Sequence, residues 1–241
     1  LLEERYKSHT ETRELFSVSS QHYAFVVNAF VSLLKRADMT RYELFLRETR
    51  TYEIIEDVKN FRSEIGVLFL NSYNRDVLTK MFDDNRLTYT SLLTKMFDDN
   101  RLTYTSLFKA RPHIFVSKSN PLAKHKVVSL EDLEDFPYLS YDQGIHNSFY
   151  YSEEILSQIP HKKSIVVSDR ATLFNLLIGL DGYTIATGIL NSNLNGDNIV
   201  SIPLDVDDEI DIVYLKHEKA TLSKMGEKFL DNLVKEVTFD D

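Results

Sequence analysis

The chain contains 241 residues, a length that fits one large domain or two lobes of roughly 100 residues each. Hydrophobic residues make up 43% of it and charged residues 27%, a balance that excludes an intrinsically disordered chain. The net charge of −9 disfavours direct DNA binding, which relies on cations that neutralise phosphates, and the absence of cysteine excludes disulfides, thiolate zinc sites and cysteine nucleophiles.

Strands and helices alternate in the first part of the chain. Strands are predicted at residues 15–18, 42–46 and 65–70, and helices at 23–34, from Thr51 through Phe61, and at 77–84. Thr51 is predicted to cap its helix. The run 65–70 is continuously apolar, as expected of a buried parallel strand, and the element order implies right-handed crossovers. No apolar run is long enough to span a membrane.

Residues 78–92, LTKMFDDNRLTYTSL, are repeated without change at 93–107. A solenoid is not indicated, because solenoid repeats recur at least three times and diverge in sequence. Two explanations stay open: the segment is duplicated in the protein, or the duplication arose when the sequence was recorded. One copy completes the strand–helix pattern and the other has no place in it, which favours the second explanation.

The alternation continues after residue 110, which predicts a second α/β lobe. Ser129 and Asp132 resemble a capping box that opens a short helix ending before Pro137. Residues 191–198 are predicted to form a polar loop. The further predicted strands are 102–107, 114–116, 138–141, 164–167, 183–187, 199–204 and 210–215, and the further helices are 149–158, 171–179 and one with Leu222, Met225, Phe229 and Leu233 on one stripe.

Small hydroxyl and amide side chains follow several predicted strands, which is where ligands of open α/β sheets bind. Helix starts at these points also offer free backbone N–H groups to a carboxylate. Ordinary helix capping explains any single one of these residues, so the set carries more weight than its members. The strand-end residues are Ser19, Ser20, Gln21, Thr49, Thr51, Tyr141, Asp142, Ser168 and Thr187, an arrangement suited to a small acid or an amino acid.

Catalytic signals are poor. The chain has no GxSxG, no HExxH and no glycine-rich phosphate loop, and its seven histidines are scattered without metal-ligand spacing. Acidic pairs such as Asp83-Asp84 and Asp207-Asp208 are predicted to lie on solvated loops. We therefore predict that the chain is not an enzyme and uses no metal or other cofactor.

Six segments carry a family resemblance through their order and spacing. They are SSQHYAF (19–25), SEIGVLFLN (63–71), HIFVSKSNPLA (113–123), SLEDLEDFPYLSYD (129–142), VSDRATLFNLL (167–177) and GYTIATG (182–188). Together they resemble the effector-binding domain of LysR-type transcriptional regulators over Glu14 to Val237. SSQHYAF and SDRATL look most similar to Gram-positive members that regulate sulfur amino-acid metabolism.

The resemblance implies an α/β fold of the two-lobed type 2 periplasmic-binding-protein kind, each lobe a mainly parallel sheet flanked by helices. Residues 1–12 would be a remnant of the linker helix. Lobe I would comprise 13–110 and 206–241, and lobe II would comprise 111–205. DNA would be bound through a winged helix-turn-helix that is absent from this chain, which accounts for the acidic charge.

The resemblance also implies a small polar or anionic effector, such as an amino acid or its precursor, in the cleft between the lobes. Ser19, Ser20, Gln21, Thr49 and Thr51 would contact it from lobe I. Ser168 and Thr187 would contact it from lobe II, together with Tyr141 or Asp142. Arg50 either enters the cleft and favours an anion or points to solvent.

Effector binding would shift the population between two states of lobe closure or dimer packing. A homodimer or tetramer in the cytoplasm is expected, with helix 22–36 compatible with the dimer contact. Two alternatives stay open. A solute-binding protein of a transporter shares this fold but needs a signal peptide or lipid anchor, and an enzyme on a similar scaffold needs a reactive constellation in the cleft.

Overall fold

The structure is a computed structural model that describes residues 14–36, 42–82, 101–146, 148–190 and 197–237. Within these ranges the strands are β1 Glu14–Ser20, β2 Tyr42–Glu48, β3 Ile65–Leu70, β4 Leu102–Ala110, β5 His113–Ser117, β6 Tyr138–Tyr141, β7 Ser164–Val167, β8 Tyr183–Ala186, β9 Ile199–Pro203 and β10 Ile210–His217. The α-helices are α1 Ala24–Arg36, α2 Thr51–Lys59, α3 Arg75–Phe82, α4 Arg170–Leu180 and α5 Lys224–Val237. Single 3₁₀ turns occupy Pro121–Lys124, Glu131–Leu133 and Gly144–His146.

The first sheet has the strand order β2-β1-β3-β10-β4. β1 pairs in parallel with β2 and β3, whereas β10 is antiparallel to β3 and β4. All residues of β3 are buried, which explains the continuous apolar run in its sequence. Because β1, β2 and β3 are parallel, their carboxyl ends at Ser20, Glu48 and Leu70 meet at one edge of the sheet.

The second sheet has the order β7-β6-β8-β5-β9. β6 is parallel to β7 and β8, and β5 is antiparallel to β8 and β9. The parallel strands of this sheet end at Tyr141, Val167 and Ala186. These ends form a second edge at which side chains from different strands can converge on a ligand.

Helices cover both faces of the first sheet. On one face the ring of Phe16 lies 5.5 Å from that of Phe229 in α5 and 6.3 Å from that of Phe30 in α1. On the other face α2 comes so close to β3 that a Cβ atom added at Gly66 would lie 2.9 Å from a methyl group of Ile54 and of Val58. Glycine at position 66 therefore sets the depth at which α2 packs.

The predicted fold class is confirmed, because two separate sheets, each flanked by helices, make up the described chain. Each sheet is mixed rather than mainly parallel, since β10 and β5 run against their neighbours. The strands change sheet between residues 110 and 113 and again between 203 and 210. This division supports the predicted lobe boundaries, which stay a prediction.

Two local predictions are wrong. The predicted helix at 149–158 does not form: residues 148–160 run through irregular turns, with Leu156 at a positive φ of 62°. This path turns the carboxylates of Glu153 and Glu154 inward, where both are buried. Thr51 is not the N-cap of α2 but its first helical residue, and its hydroxyl oxygen accepts a hydrogen bond from Gln21.

The predicted capping box at residue 129 is confirmed, although it opens a 3₁₀ turn rather than a longer helix. Ser129 Oγ accepts from the Asp132 N–H, and Asp132 Oδ2 accepts from the Ser129 N–H. The linker remnant 1–12, most of the polar loop 191–198 and residues 83–100 of the repeat lie outside the described residues. Of the repeat, α3 takes the start of the first copy and β4 the end of the second.

A membrane span is not found in the described part of the chain, since its helices are too short or too polar to cross a bilayer. Nor do the described residues contain a group of three or more His, Asp or Glu side chains placed to hold a metal ion.

Candidate functional site

A pocket lies between the two sheets, where the carboxyl ends of their parallel strands face each other. Its cavity volume is about 50 Å³, and the space that includes the open mouth and adjoining solvent is about 610 Å³. Apolar side chains form most of the wall, namely Ala24, Phe25, Phe69, Phe115, Ile155, Leu173, Phe174, Ile185, Ala186 and Ile189. The polar side chains are His22, Tyr23, Tyr141, Glu153, Glu154, Arg170, Thr184 and Thr187. A mostly apolar pocket with a few convergent polar groups is the usual form of a small-molecule site.

Four segments carry the polar side chains to the pocket. His22 lies in the turn between β1 and α1, and Glu153 and Glu154 lie in the irregular segment between β6 and β7. Arg170 is the first residue of α4, after β7. Thr187 follows β8 at the point where Gly188 turns the chain with a φ of 85°. Both lobes therefore contribute to the wall.

Glu153 links the lobes through three contacts. Its Oε2 accepts from the His22 backbone N–H at 2.9 Å and lies 2.7 Å from His22 Nδ1, and its Oε1 accepts from Gln143 Nε2 at 3.0 Å. Burial alone lowers the pKa of His22, but the hydrogen bond and charge of Glu153 outweigh it and leave that pKa raised. His22 is also stacked on Tyr141, with ring centroids 4.1 Å apart. A histidine–carboxylate pair therefore closes one side of the pocket.

Glu154 is a buried acid in the pocket wall with a strongly raised pKa. It is only 3% exposed. Burial, and then the charge of Glu153, raise its pKa to about 8, although backbone N–H groups including that of Tyr141 partly oppose the shift. The Tyr141 N–H donates to Oε1 at 2.6 Å, but Oε2 has no hydrogen-bond partner among the described residues. At neutral pH this carboxyl group is mostly protonated.

A second ionic contact joins the lobes at the end of β2. Arg170 Nη2 lies 3.3 Å from Glu48 Oε1, and both side chains are largely buried. Burial raises the pKa of Glu48, while the charges of Arg170 and His22 partly offset that effect. The separation is within the range of an ion pair, but neither Arg170 Nη1 nor Glu48 Oε1 has a partner with hydrogen-bond geometry among the described residues. The pair therefore keeps unused hydrogen-bonding capacity.

Gln21 organises the lobe I side of the cleft. Its Nε2 donates to Thr51 Oγ1 at 2.6 Å, and its Oε1 accepts from Tyr23 Oη at 2.6 Å and from the Phe69 N–H at 3.1 Å. The N–H of Thr51 in turn donates to Gln143 Oε1 in lobe II at 3.2 Å. These contacts tie the ends of β1 and β3 to the start of α2 and to the second lobe.

An exposed clasp connects the lobes outside the pocket. Arg50 Nη2 donates to Asp142 Oδ2 at 2.6 Å, and Arg50 Nε donates to the Asp142 carbonyl oxygen at 3.1 Å. The Gly144 N–H and then Arg50 hold the pKa of Asp142 below its usual value. Beside this pair, the ring of Tyr52 stacks on that of His146 at 3.7 Å. Arg50 therefore bridges the lobes instead of offering an unpaired cation to a ligand.

Two of the predicted site residues, Tyr141 and Thr187, line the pocket. Gln21 and Thr51 lie behind it in the network described above, and Asp142 belongs to the clasp. The structure thus brings these five strand-end residues to one interlobe region, although they come from strands of both sheets.

The other four predicted residues have different surroundings. Ser19 is fully buried, where its hydroxyl donates to Asp57 Oδ2 at 2.6 Å and lies 2.7 Å from the Ser63 hydroxyl. The Ser20 hydroxyl donates to the Gln21 carbonyl oxygen. Thr49 donates to Glu53 in the first turn of α2. Ser168 is exposed at the end of β7 and does not line the pocket.

Sequence reasoning missed the charged residues of the pocket wall, His22, Glu153, Glu154 and Arg170, and also Glu48, which pairs with Arg170. One signal was present: Glu153-Glu154 is an acidic pair enclosed by Tyr150-Tyr151 and Ile155-Leu156. Carboxylates inside an apolar segment are rarely left on a solvated loop. The predicted helix at 149–158 obscured this, because a helix would have placed both side chains on an exposed face.

A protein-family model described as the LysR substrate binding domain matches residues 36–238. No curated protein sequence matches the chain. The comparisons with solved structures show similar folds at low sequence identity.

The effector-binding domain of QuiR in complex with shikimate superposes with a TM-score of 0.57 at 15% identity, covering 93% of this chain and 97% of that one. The effector-binding domain of a BenM variant superposes with a TM-score of 0.58 at 16% identity, covering 93% and 94%. The reduced OxyR regulatory domain from Pseudomonas aeruginosa gives a TM-score of 0.60 at 11% identity, covering 92% and 98%.

Proposed function

Since this chain belongs to the LysR substrate-binding domain family, we propose that it is the ligand-sensing domain of a LysR-type transcriptional regulator and that the interlobe pocket binds its small-molecule effector. The observation that carries the proposal is the composition of the pocket wall. His22 and Phe69 come from the first sheet and its connections, whereas Arg170 and Thr187 come from the second. A bound molecule would contact both lobes at once.

The polar contacts between the lobes, around the pocket, provide a way for a bound effector to change the arrangement of the lobes. The contacts His22–Glu153, Glu48–Arg170 and Arg50–Asp142 each join one lobe to the other. A ligand that strengthens or replaces them stabilises one arrangement of the lobes over another, and only such a difference in affinity can shift the population. The shift would be passed to DNA-binding domains outside this chain.

The same proposal includes three further properties: the protein forms a dimer or tetramer, it binds DNA through a winged helix-turn-helix, and it acts in the cytoplasm. The acidic charge supports a division in which another domain binds DNA. β7 is an edge strand with Val166 58% exposed, which supports the pairing between a lobe I helix and a lobe II strand that the family resemblance implies. No catalytic role is proposed for the pocket.

The transporter alternative is not favoured, because both the family match and the similar structures are regulatory domains. The predicted sulfur amino-acid branch has no support among the comparisons. The chemistry of the pocket is therefore a better guide to the effector than the sub-family. Of the two alternatives for Arg50, the one in which it favours an anion in the cleft loses its support, because Arg50 pairs with Asp142.

A thermal-shift screen of a metabolite library against the 241-residue chain tests the proposal. A ligand at about 100 times its Kd stabilises a native state by about 2.7 kcal/mol, which corresponds to a rise in Tm of roughly 5–10 °C for a domain of this size. Ala186→Leu narrows the pocket and should abolish the shift. Ala171→Leu, an exposed substitution in α4, is the matched control and should preserve it.

Failure takes two forms. No stabilising compound in the library, or hits whose shift survives Ala186→Leu, would remove the pocket from the sensing role.

A further inference from the structure

Two buried groups of opposite chemistry in one pocket lack partners. Glu154 Oε2 and Arg170 Nη1 are both buried without a hydrogen-bond partner among the described residues, and both residues line the pocket. Buried polar groups of folded proteins are nearly always paired, and each exception requires an explanation. A ligand that brings a donor to one group and an acceptor to the other explains both.

Among the described residues, each of the two basic side chains of the pocket lies beside a carboxylate other than Glu154. His22 pairs with Glu153, and Arg170 lies beside Glu48. Glu154 itself forms no ion pair within the described residues, although it sits next to a second carboxylate, Glu153. The groups that face it are Glu153 and the phenols of Tyr23, Tyr138 and Tyr141, whose pKa values burial raises well above the usual range. The surroundings of Glu154 therefore provide acidic groups and aromatic rings but no free cation.

Carboxylates and aromatic rings together are the usual recognition elements for an organic ammonium group. A carboxylate supplies a charge-assisted hydrogen bond, and aromatic rings attract cations through their electron-rich faces. Tyr23 and Tyr141 line the pocket together with Glu154. An amino group bound here would satisfy Oε2 and balance the excess of carboxyl groups.

Arg170 provides the complementary element. Its guanidinium is held near Glu48 by Nη2, which leaves Nη1 available to donate. Nη1 can therefore donate a charge-assisted hydrogen bond to one oxygen of a carboxylate. The rest of the wall is apolar, with Phe25, Phe174 and Ile185 among its residues.

We propose that the effector is a zwitterion of the α-amino-acid type with an apolar side chain, whose ammonium group binds Glu154 and whose carboxylate binds Arg170. This inference rests on the proposed function, because it identifies the ligand class of the same pocket. It narrows the earlier expectation of a polar or anionic effector to a molecule that carries both charges on an apolar body.

Protonation supplies a second signature. Burial raises the pKa of Glu154 to about 8, so in the empty pocket the group carries a proton at pH 7. An ammonium group at Oε2 favours the ionised form and lowers that pKa. Binding at pH 7 should therefore release about one proton per ligand.

For each of three apolar amino acids, the experiment compares three ligands: the amino acid, the acid without its amino group and the amine without its carboxylate. L-leucine, L-methionine and L-phenylalanine are titrated by calorimetry, each beside the acid that lacks its amino group and the amine that lacks its carboxylate. At least one amino acid should bind, and its acid and amine analogues should bind about 10- to 100-fold more weakly, as expected for loss of one charged hydrogen bond.

Two variants separate the two ends of the ligand. Glu154→Gln should weaken binding of the amino acid and the amine about 10-fold or more and leave the acid unchanged. Arg170→Gln should weaken the amino acid and the acid similarly and leave the amine unchanged. Glu134→Gln is the control, because Glu134 lies on the surface of the same lobe in an exposed pair with Lys162. Circular dichroism confirms that each variant is folded.

Proton release is measured at pH 7 in two buffers with different ionisation enthalpies. The observed binding enthalpy should differ between the buffers for the original chain and agree for Glu154→Gln. This measurement does not depend on the size of the affinity change.

The outcomes distinguish this inference from the proposed function. If the metabolite screen yields pocket ligands but none carries an amino group, or if the acids bind as well as the amino acids, the zwitterion is wrong and the sensing role stands. An affinity for the amino acid that Glu154→Gln leaves unchanged overturns the inference in the same way. If no compound binds at all, the proposed function fails with it.

Discussion

Two polar regions flank the cleft, and they differ in how completely their groups are paired. The first, here named the β1-end cluster, comprises Ser19, Gln21, Thr51, Asp57 and Ser63. The second, the charged wall, comprises Glu48, Glu154 and Arg170. In the β1-end cluster, each side chain named here has a hydrogen bond to another side chain. In the charged wall, each residue has a buried atom without such a partner among the described residues.

This difference distinguishes buried polar groups that stabilise the fold from buried polar groups that can bind a ligand. A buried group that is already paired stabilises the fold and offers a ligand little, because the ligand would have to break an existing bond. A buried group that is unpaired costs free energy in the empty state and regains it when a ligand arrives. We therefore expect substitutions in the β1-end cluster to lower stability and substitutions in the charged wall to change ligand affinity.

The largest expected effect comes from removing the unpaired carboxyl group of Glu154. The folded state holds its proton up to about pH 8, whereas the unfolded state loses it near pH 4.5. Between these values the folded state binds more protons, so its stability falls as pH rises and levels off above pH 8. The full loss is on the order of 5 kcal/mol. Glu154→Gln should remove this slope and be more stable than the original chain at pH 8.5.

Urea unfolding at pH 5, 7 and 8.5 measures the effect. His22 contributes in the same direction, because its pKa is raised and its stabilising charge is lost as pH rises through that value. A residual slope near neutral pH is therefore expected in Glu154→Gln. Equal slopes in the two chains would contradict the assignment of Glu154 as an unpaired buried acid.

The next largest effect is expected in the β1-end cluster. Asp57 accepts from the Ser19 hydroxyl at 2.6 Å and from Arg62 Nε at 2.7 Å, and it is 7% exposed. Asp57→Ala leaves both donors without their acceptor and should cost about 2–3 kcal/mol of unfolding free energy. Ser19→Ala, which removes one of these bonds, should cost about 1 kcal/mol. Neither should change the affinity for a pocket ligand by more than about twofold, since neither lines the pocket.

Calorimetric titration of both variants with a ligand from the screen checks this separation. A large loss of affinity in Ser19→Ala, with stability unchanged, would restore Ser19 to the binding site that its position after β1 predicted.

Much of the fold was predictable because it depends on periodic apolar patterns. The six residues of β3 were predicted with exact bounds, since their continuous apolar run has one ready explanation, a strand buried on both faces. The general position of the site was also predictable, because parallel strands direct their carboxyl ends to a common edge. Tyr141 and Thr187 line the pocket for this reason.

The chemistry of the site was not predictable in the same way. A hydroxyl at a strand end signals either a ligand contact or an internal hydrogen bond, and Ser19 proved to have the second kind of partner. Glu153 and Glu154 reach the pocket through turns that have no periodic pattern, so their burial depends on tertiary packing alone. The pairing of Glu48 with Arg170 joins residues from different lobes, and no local pattern marks it.

A smaller effect is expected at Gln143, which links the β1-end cluster to Glu153. Gln143 Oε1 accepts from the Thr51 N–H at the start of α2, and Gln143 Nε2 donates to Glu153. Gln143→Ala leaves a buried N–H unpaired and should cost about 1–2 kcal/mol of unfolding free energy. It should also loosen Glu153, so affinity should fall together with stability. Gln143→Glu keeps an acceptor for the Thr51 N–H but places a second buried carboxyl group beside Glu153, so it should recover neither stability nor affinity at neutral pH.

The smallest effect is expected at the exposed clasp. Arg50 and Asp142 are each 39% exposed at the side chain, so the ion pair is screened by salt and contributes little to stability. Its position across the cleft mouth gives it a role in closure instead. Arg50→Ala should weaken effector binding about two- to fivefold at low salt, and 0.5 M NaCl should reduce that difference. Lys162→Ala, which breaks an exposed pair within lobe II, is the matched control. If both variants weaken binding equally, the effect of Arg50→Ala comes from the loss of one positive charge from the chain. The clasp then does not favour the closed arrangement of the lobes over the open one.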